Sequence, residues 1–414
     1  MKIVYLDSDE IARFREMPSS YLDGCAYEWE NEDVAHLHIS PISHSFGLSK
    51  SCKWYKSNNN DFIPNEKDTY YIYINENDVI NVHYVAEVGE TCTCNVYIIP
   101  SQKDLFSRAK GILEVDILLD KHVLIIGLGS FGSQISIELA KAGVGYFTLV
   151  DFDRVEIHNL ARHTCTTKDL GRLKIDAIKE LILGKNKCAH VETFPIDITK
   201  NFNLLNEMVA KADLIICATD NNTSRFTLAN CLIKQNKVGI FGRAVTRAEG
   251  GDVFRQRPNG PCYNCLVGSA THSAIQEEVT NREQLPAYVS AQDADAMIQV
   301  GLSSDIEPIC NFMVKLSLLE LSKGRESGIE HLENELTYDY YIWANRRERR
   351  HLNWASFNNA VQKPTILRWY GAKIQKDDYC PICSNHIILD EGDELIQLLD
   401  EDYNNISIDT IEKE

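Results

Sequence analysis

The sequence predicts an α/β protein: a doubly wound, mostly parallel sheet carrying a structural zinc site, preceded by a small α+β domain. Three observations carry that expectation. An apolar run, Val123 to Ile126, leads into Gly127, Gly129 and Gly132 at G-x-G-x-x-G spacing and then into an amphipathic stretch from Ser133 to Ala142; together they read as strand, tight turn and helix. Strand-like and helical stretches then continue through Val191 to Ile196, Phe202 to Ala210, Ala212 to Thr219 and Val238 to Gly242. Two Cys-x-x-Cys pairs follow, Cys262/Cys265 and Cys380/Cys383. In a reducing compartment they read as one tetrahedral Zn²⁺ thiolate site, each knuckle supplying two sulfurs at a preset angle.

Each glycine has its own task. Gly127 permits the turn, Gly129 lets phosphate oxygens approach backbone amides, and Gly132 lets the helix pack close to the strand. The helix N-terminus offers an anion unpaired N–H groups and about half a positive charge. A second strand, Tyr146 to Val150, delivers Asp151 where a ribose hydroxyl lies in Rossmann-like folds. The next residues are narrower in meaning: Asp153, Asn159, Arg162 and Lys174 gather after that strand. A dinucleotide dehydrogenase has little use for two cations and an amide here, because the glycine turn already holds its pyrophosphate. A triphosphate carries more charge. Arg162 can grip oxygens bidentately, and Lys174 can act as a mobile point charge on a leaving pyrophosphate.

A length of 414 residues allows two or three domains, and 44% hydrophobic residues suffice for a large core. The expected divisions are an accessory domain over residues 1–104, a nucleotide-binding domain over 105–384 and an acidic tail over 385–414. A net charge of −18 argues against nucleic acid or an anionic membrane as partner, since both need a basic footprint. Met1 to Glu10 has no signal-peptide core, and no uncharged run approaches about eighteen residues. A cytoplasmic protein is expected, with its 13 cysteines mostly reduced and available as metal ligands or reactive thiols.

Before residue 104, Tyr70 to Ile74 and Val79 to Val85 read as strands and Lys56 to Asp61 as a surface loop. His36-Leu37-His38 invites a metal reading, but neither Ser45 nor Ser49 is followed by aspartate at the spacing a metalloprotease-like site needs, so strand histidines are expected. Cys92 and Cys94 read as strand packing. Asp104 to Lys110 opens a helical stretch on which Arg108 alone would pass for a solvated residue. The strand ending at Thr219 points Asp220 and Asn221 into the same crevice as Gly129, Arg162 and Lys174. Asp220 there is a Mg²⁺ ligand, an N-cap for the helix near Thr223, or both. Leu266 to Asp305 is polar, irregular and free of cysteine; Glu307 to Leu321 reads as a helix; Thr337 to Trp343 and Thr365 to Trp369 read as strands, with the basic run Arg346 to Arg350 between them. That run and the acidic tail each read as solvated surface or as a docking site.

From Arg108 to Cys265, with Cys380 and Cys383, the chain resembles the MoeB/ThiF family of carrier-protein adenylyltransferases, relatives of the ubiquitin-activating enzymes, over about 200 of 414 residues. The family pattern stands here as Arg108, Gly127/Gly129/Gly132, Asp151/Asp153, Asn159/Arg162, Lys174, Thr219-Asp220-Asn221 and the two cysteine pairs. The resemblance implies an enzyme that uses ATP and Mg²⁺ to adenylate the C-terminal glycine carboxylate of a ubiquitin-like or sulfur-carrier protein, releasing pyrophosphate. It implies that Asp151 holds ribose, that Asn159, Arg162 and Lys174 hold phosphates, and that Asp220 holds the metal. Asp153 and Asn221 belong to the same nucleotide set. Arg108 would reach the phosphates of the partner subunit of a homodimer.

There are two departures. Ubiquitin-activating enzymes go on to form a thioester and serve a conjugating enzyme, often through a cysteine that 266–305 lacks; the role would fall to Cys165 or to Cys310, the latter at an expected helix start. The N-terminal domain is absent from short bacterial members, and the combination looks like the activating enzymes of bacterial ubiquitin-like conjugation operons, which act in phage defence. Competing expectations are a peptide-modifying adenylyltransferase in which residues 1–104 clamp a peptide, an NAD-dependent oxidoreductase, and a non-catalytic scaffold.

Overall fold

A computed structural model describes residues 2–29, 32–42, 47–57, 66–100, 105–269, 301–346 and 366–384. Ser45, most of the loops expected at 56–61 and 266–305, the basic run beyond Arg346 and the acidic tail lie outside the described residues. The chain divides into two compact units, Met1–Arg108 and Ala109–Glu414.

The first unit runs β1 (Ile3–Asp7), α1 (Ser8–Glu16), β2 (Tyr21–Glu28), β3 (Val34–His38), β4 (Leu48–Tyr55), β5 (Thr69–Ile74), β6 (Ile80–Val85), β7 (Thr91–Thr93) and β8 (Asn95–Ile99). The sheet is larger than the small one expected: among the described residues it has eight strands, ordered β7-β6-β5-β4-β2-β3-β1-β8. Only Cys94 separates β7 from β8; its N–H bonds Val82 and that of Asn95 bonds Lys2, so one segment joins the sheet's two edges. Helix α1 starts where the Asp7 carboxylate accepts the Asp9 N–H at 2.8 Å, an N-cap of about 1 kcal/mol. It buries Ile11 and Phe14 with Val4, Leu6 and Trp54. His36 stacks on Tyr5, His38 pairs with Glu10 at 3.3 Å, and Cys94 is buried while Cys92 is exposed. Lys50 lies 2.9 Å from Glu28 and 2.7 Å from Asp68, and Tyr70 and Tyr84 donate to the same two carboxylates.

The second unit runs β9 (His122–Ile126), α2 (Ser130–Ala142), β10 (Tyr146–Val150), α3 (Lys174–Lys185), β11 (His190–Phe194), α4 (Phe202–Lys211), β12 (Leu214–Cys217), α5 (Asn222–Gln235), β13 (Gly239–Ala244), β14 (Gly250–Gln256), α6 (Tyr263–Ser269), α7 (Ser303–Leu321), α8 (Leu332–Glu335), β15 (Tyr340–Ala344) and β16 (Arg368–Ala372). The sheet order is β11-β10-β9-β12-β13-β14-β15-β16. Strands β9 to β13 are parallel and β14 to β16 antiparallel, so the sheet is mixed. The residues between β13 and β14 are too few for a parallel crossover. Alternate side chains of β9 serve two cores: Val123 and Ile125 pack with Ile135, Ile178 and Met313 of α2, α3 and α7, Leu124 and Ile126 with Leu205 and Leu228 of α4 and α5. Helices cover both faces, as a doubly wound fold requires.

Three expected elements shift. The helical stretch at 104–110 reduces to a 3-10 turn at Ser107–Ala109. Helix α7 begins at Ser303 with Pro308 inside it, which places Cys310 two turns in instead of at the helix start. The last strand runs Arg368–Ala372 rather than ending at Trp369.

Candidate functional site

The direction of winding reverses at β9: β10 and β11 lie to one side and β12 and β13 to the other. Ligands bind at such switch points in open α/β sheets, at the carboxyl ends of the strands. The turn there is tight. Gly127 sits at φ +83°, and a Cβ on it would fall 2.8 Å from the Ala218 carbonyl oxygen. A Cβ on Gly132 would lie 1.9 Å from the Gly127 oxygen, whereas one on Gly129 would meet nothing within 4 Å. Gly129 begins α2 without a side-chain cap.

A cavity of about 1260 Å³ opens beyond this turn. Gly127, Gly129, Asp151, Asp153, Asn159 and Arg162 line it, as do Lys174, Asp220 and Asn221. Nine of the sequence-derived nucleotide residues thus meet in one place. Gly132 stands behind the turn as its packing partner. Arg108 is not among the lining residues; it is exposed on the turn at Ser107–Ala109.

The local bonds refine several roles. The Asp151 carboxylate accepts the N–H of Leu128 at 2.6 Å and that of Asp153 at 2.8 Å, so it braces the glycine turn. Burial raises its carboxyl above the ordinary range, with the Lys174 charge opposing. Lys174 is buried and its ammonium lies 2.8 Å from Asp153. Asn159 accepts the Glu156 N–H at 2.9 Å, which fixes the loop that presents Arg162. The expectation that Asp220 caps α5 is corrected: Asn221 is the N-cap, its side chain accepting the Ser224 N–H at 2.8 Å. Asp220 is left exposed at the cavity.

Several lining residues were not expected at the site from the sequence. His163 is buried; its Nε2 donates to the Leu128 carbonyl at 2.6 Å and its Nδ1 accepts the Cys165 N–H at 3.1 Å. Both backbone groups of Leu128 are therefore clamped, and burial lowers the imidazole pKa. Arg247 and Arg346 also line the cavity. Arg247 and Ala248 adopt φ of +62° and +50°, costly for non-glycine residues. The strain is held from the residues just after β15: the Asn345 side chain donates to the Ala248 carbonyl at 2.8 Å, and Arg346 donates to that of Arg247. Arg346 belongs to the basic run, so the start of that run faces the cavity.

Neither candidate thiol lines the cavity. Cys165 and Cys310 are buried; burial pushes the Cys165 thiol up to about 12 and the Cys310 thiol up as well. Cys262, Cys265, Cys380 and Cys383 form a separate cluster, all four sulfurs within 4.8 Å of one another. Three of the separations are 3.4, 3.6 and 3.8 Å. A Zn–S bond of about 2.3 Å gives a tetrahedral edge of about 3.8 Å, so the donor set fits a tetrahedral tetrathiolate metal.

The sequence profile of the ThiF family matches residues 105–337. The chain belongs to the ThiF family. Among similar proteins, the molybdopterin-synthase adenylyltransferase of Salmonella typhimurium is 35% identical over 152 residues, 36% of this chain and 59% of that one. The sulfur carrier protein adenylyltransferase of Thermus thermophilus is 31% identical over 211 residues, 48% of this chain and 76% of that one. A crystal structure of E. coli MccB with MccA-N7isoASN is 16% identical, covering 65% of this ThiF-family chain and 69% of that chain at a TM-score of 0.47. The chain thus spans 59% of the length of the Salmonella relative. Among the described residues, no helix is long and apolar enough to cross a membrane.

Proposed function

We propose that the cavity binds ATP with Mg²⁺ and that the protein adenylates a C-terminal carboxylate. The supporting observation is the convergence of the glycine turn, Asp151, Asn159, Arg162, Lys174 and Asp220 on one cavity in a chain of the ThiF family. In the reaction, a substrate carboxylate oxygen bonds to the α-phosphorus while the bond from that phosphorus to the bridging oxygen breaks, giving an acyl adenylate and pyrophosphate. The protein's part is to align the groups and to neutralise charge as pyrophosphate departs.

On this reading Gly129 and the α2 N-terminus receive phosphate oxygens, and Arg162 and Lys174 hold the leaving pyrophosphate. Asp151 has spare lone pairs for a ribose hydroxyl beyond its two backbone bonds. Asp220, released from capping, supplies a carboxylate to Mg²⁺, which spreads charge across the phosphates. Asn221 caps α5 with its side-chain oxygen and stays in the nucleotide set beside Asp220 at the cavity. The four cysteines hold Zn²⁺, and Arg108 acts on the second subunit of a homodimer in the cytoplasm. The names of the relatives favour a ubiquitin-like or sulfur-carrier protein as the acid. Buried, high-pKa thiols are poor nucleophiles, so no thioester is assigned to Cys165 or Cys310.

Exchange of labelled pyrophosphate into ATP, dependent on a carrier protein, tests the proposal. Arg162→Ala and Asp220→Ala should each slow exchange by roughly 10²–10³-fold. Full exchange in both variants would reject the site.

A further inference from the structure

The cysteine cluster and Asp220 are connected through buried side chains. Tyr263 lies between Cys262 and Cys265 and is 2% exposed. Its hydroxyl donates to the Asn222 side-chain oxygen at 3.1 Å. Arg225, also 2% exposed, donates to that oxygen at 3.3 Å and to the Thr219 carbonyl at 2.6 Å. Thr219 immediately precedes Asp220. A second tie runs parallel: the Tyr263 N–H donates to Gln256 at 3.0 Å, and Gln256 donates to Ala229 within α5 at 2.9 Å. Ile233 of the same helix packs against the four cysteines.

We propose that Tyr263, Asn222 and Arg225 are positioning residues that transmit the state of the cysteine cluster to Asp220. Closing the four sulfurs around a metal fixes the Tyr263 backbone. Tyr263 fixes Asn222 and Arg225, and Arg225 fixes the peptide that aims the Asp220 carboxylate. A guanidinium serving two acceptors from one rigid fork suits this role, since neither contact can shift without the other. The cluster then does more than pin residues 380–383 to the fold: it sets the geometry of the metal-facing edge of the cavity. The Mg²⁺ consequence rests on the adenylation reading; the mechanical link does not.

The test is Tyr263→Phe in the full chain, which removes one hydroxyl and keeps ring packing against Phe226 and Phe241. Metal content should match the unsubstituted protein and Tm should fall by only a few degrees, while amide exchange over residues 219–224 accelerates several-fold. In pyrophosphate exchange, the Mg²⁺ concentration for half-maximal rate should rise about tenfold, as for the loss of a buried hydrogen bond, with kcat at saturating Mg²⁺ unchanged. Chelation of the cluster should accelerate the same amides in the unsubstituted chain and add little in Tyr263→Phe. Retained metal with unaltered amide exchange over 219–224 would overturn the link. If the unsubstituted chain catalyses no pyrophosphate exchange, the adenylation reading fails, and the amide measurement still decides the link.

Discussion

The two units each hold an eight-stranded sheet among the described residues, yet they place charged groups differently. In the second, parallel strands β9, β10 and β12 end on one side, so the segments after them bring Gly129, Asp151 and Asp220 to one cavity. In the first, four of the seven strand pairings are antiparallel and three are parallel, and charged side chains close on one another. Lys50 shows this: burial works against its charge, but bonds to Asp68, Tyr84 and Glu28 hold its pKa above the ordinary lysine range. Parallel strands that end together bring polar groups to one site.

That contrast can be broken most sharply at the two lysines. Lys174→Met should slow pyrophosphate exchange by roughly 10²–10³-fold with little loss of stability, because its partner Asp153 is 52% exposed and can be solvated. Lys50→Met should leave exchange intact and cost about 1–3 kcal/mol in urea unfolding, because Glu28 is only 13% exposed and loses a bond to a cation. Equal activity losses in the two variants would erase the distinction.

A smaller effect follows pH. His163 has a folded-state pKa below its unfolded value, with burial as the first cause. The unfolded chain therefore binds the proton more readily, and this part of the stability is present above about pH 6.5 and lost as pH falls. Tm recorded from pH 8 to 5 should decline less steeply in His163→Gln; an identical slope would remove His163 from the account. Smallest of all, Cys92→Ser on an exposed strand position should change stability by less than about 0.5 kcal/mol.

The sequence made the core of the second unit readable because local chemistry repeats there. The residues of β10 match their expected span, and Gly127 and Gly132 occupy the tasks their spacing implies, since steric demand is local. Contacts over distance were hidden. His163 acts on Leu128 across 35 residues, and no short motif announces that bond. Asp220 and Asn221 are adjacent residues of equal capping preference, so spacing alone cannot choose between them; the backbone chose Asn221. Likewise Pro308, at home in a first helical turn, masked a helix that begins five residues earlier. Apolar periodicity does not encode strand direction, so the antiparallel sense of β14 to β16 went unread although β15 and β16 overlap spans expected as strands.

The contact between Lys174 and Asp153 has a bearing on turnover. On the adenylation reading, an arriving polyphosphate would swap partners with Asp153 rather than meet an unpaired Lys174 ammonium. Affinity would then reflect a difference between two pairings, which would keep product grip modest and let pyrophosphate escape as the latch recloses.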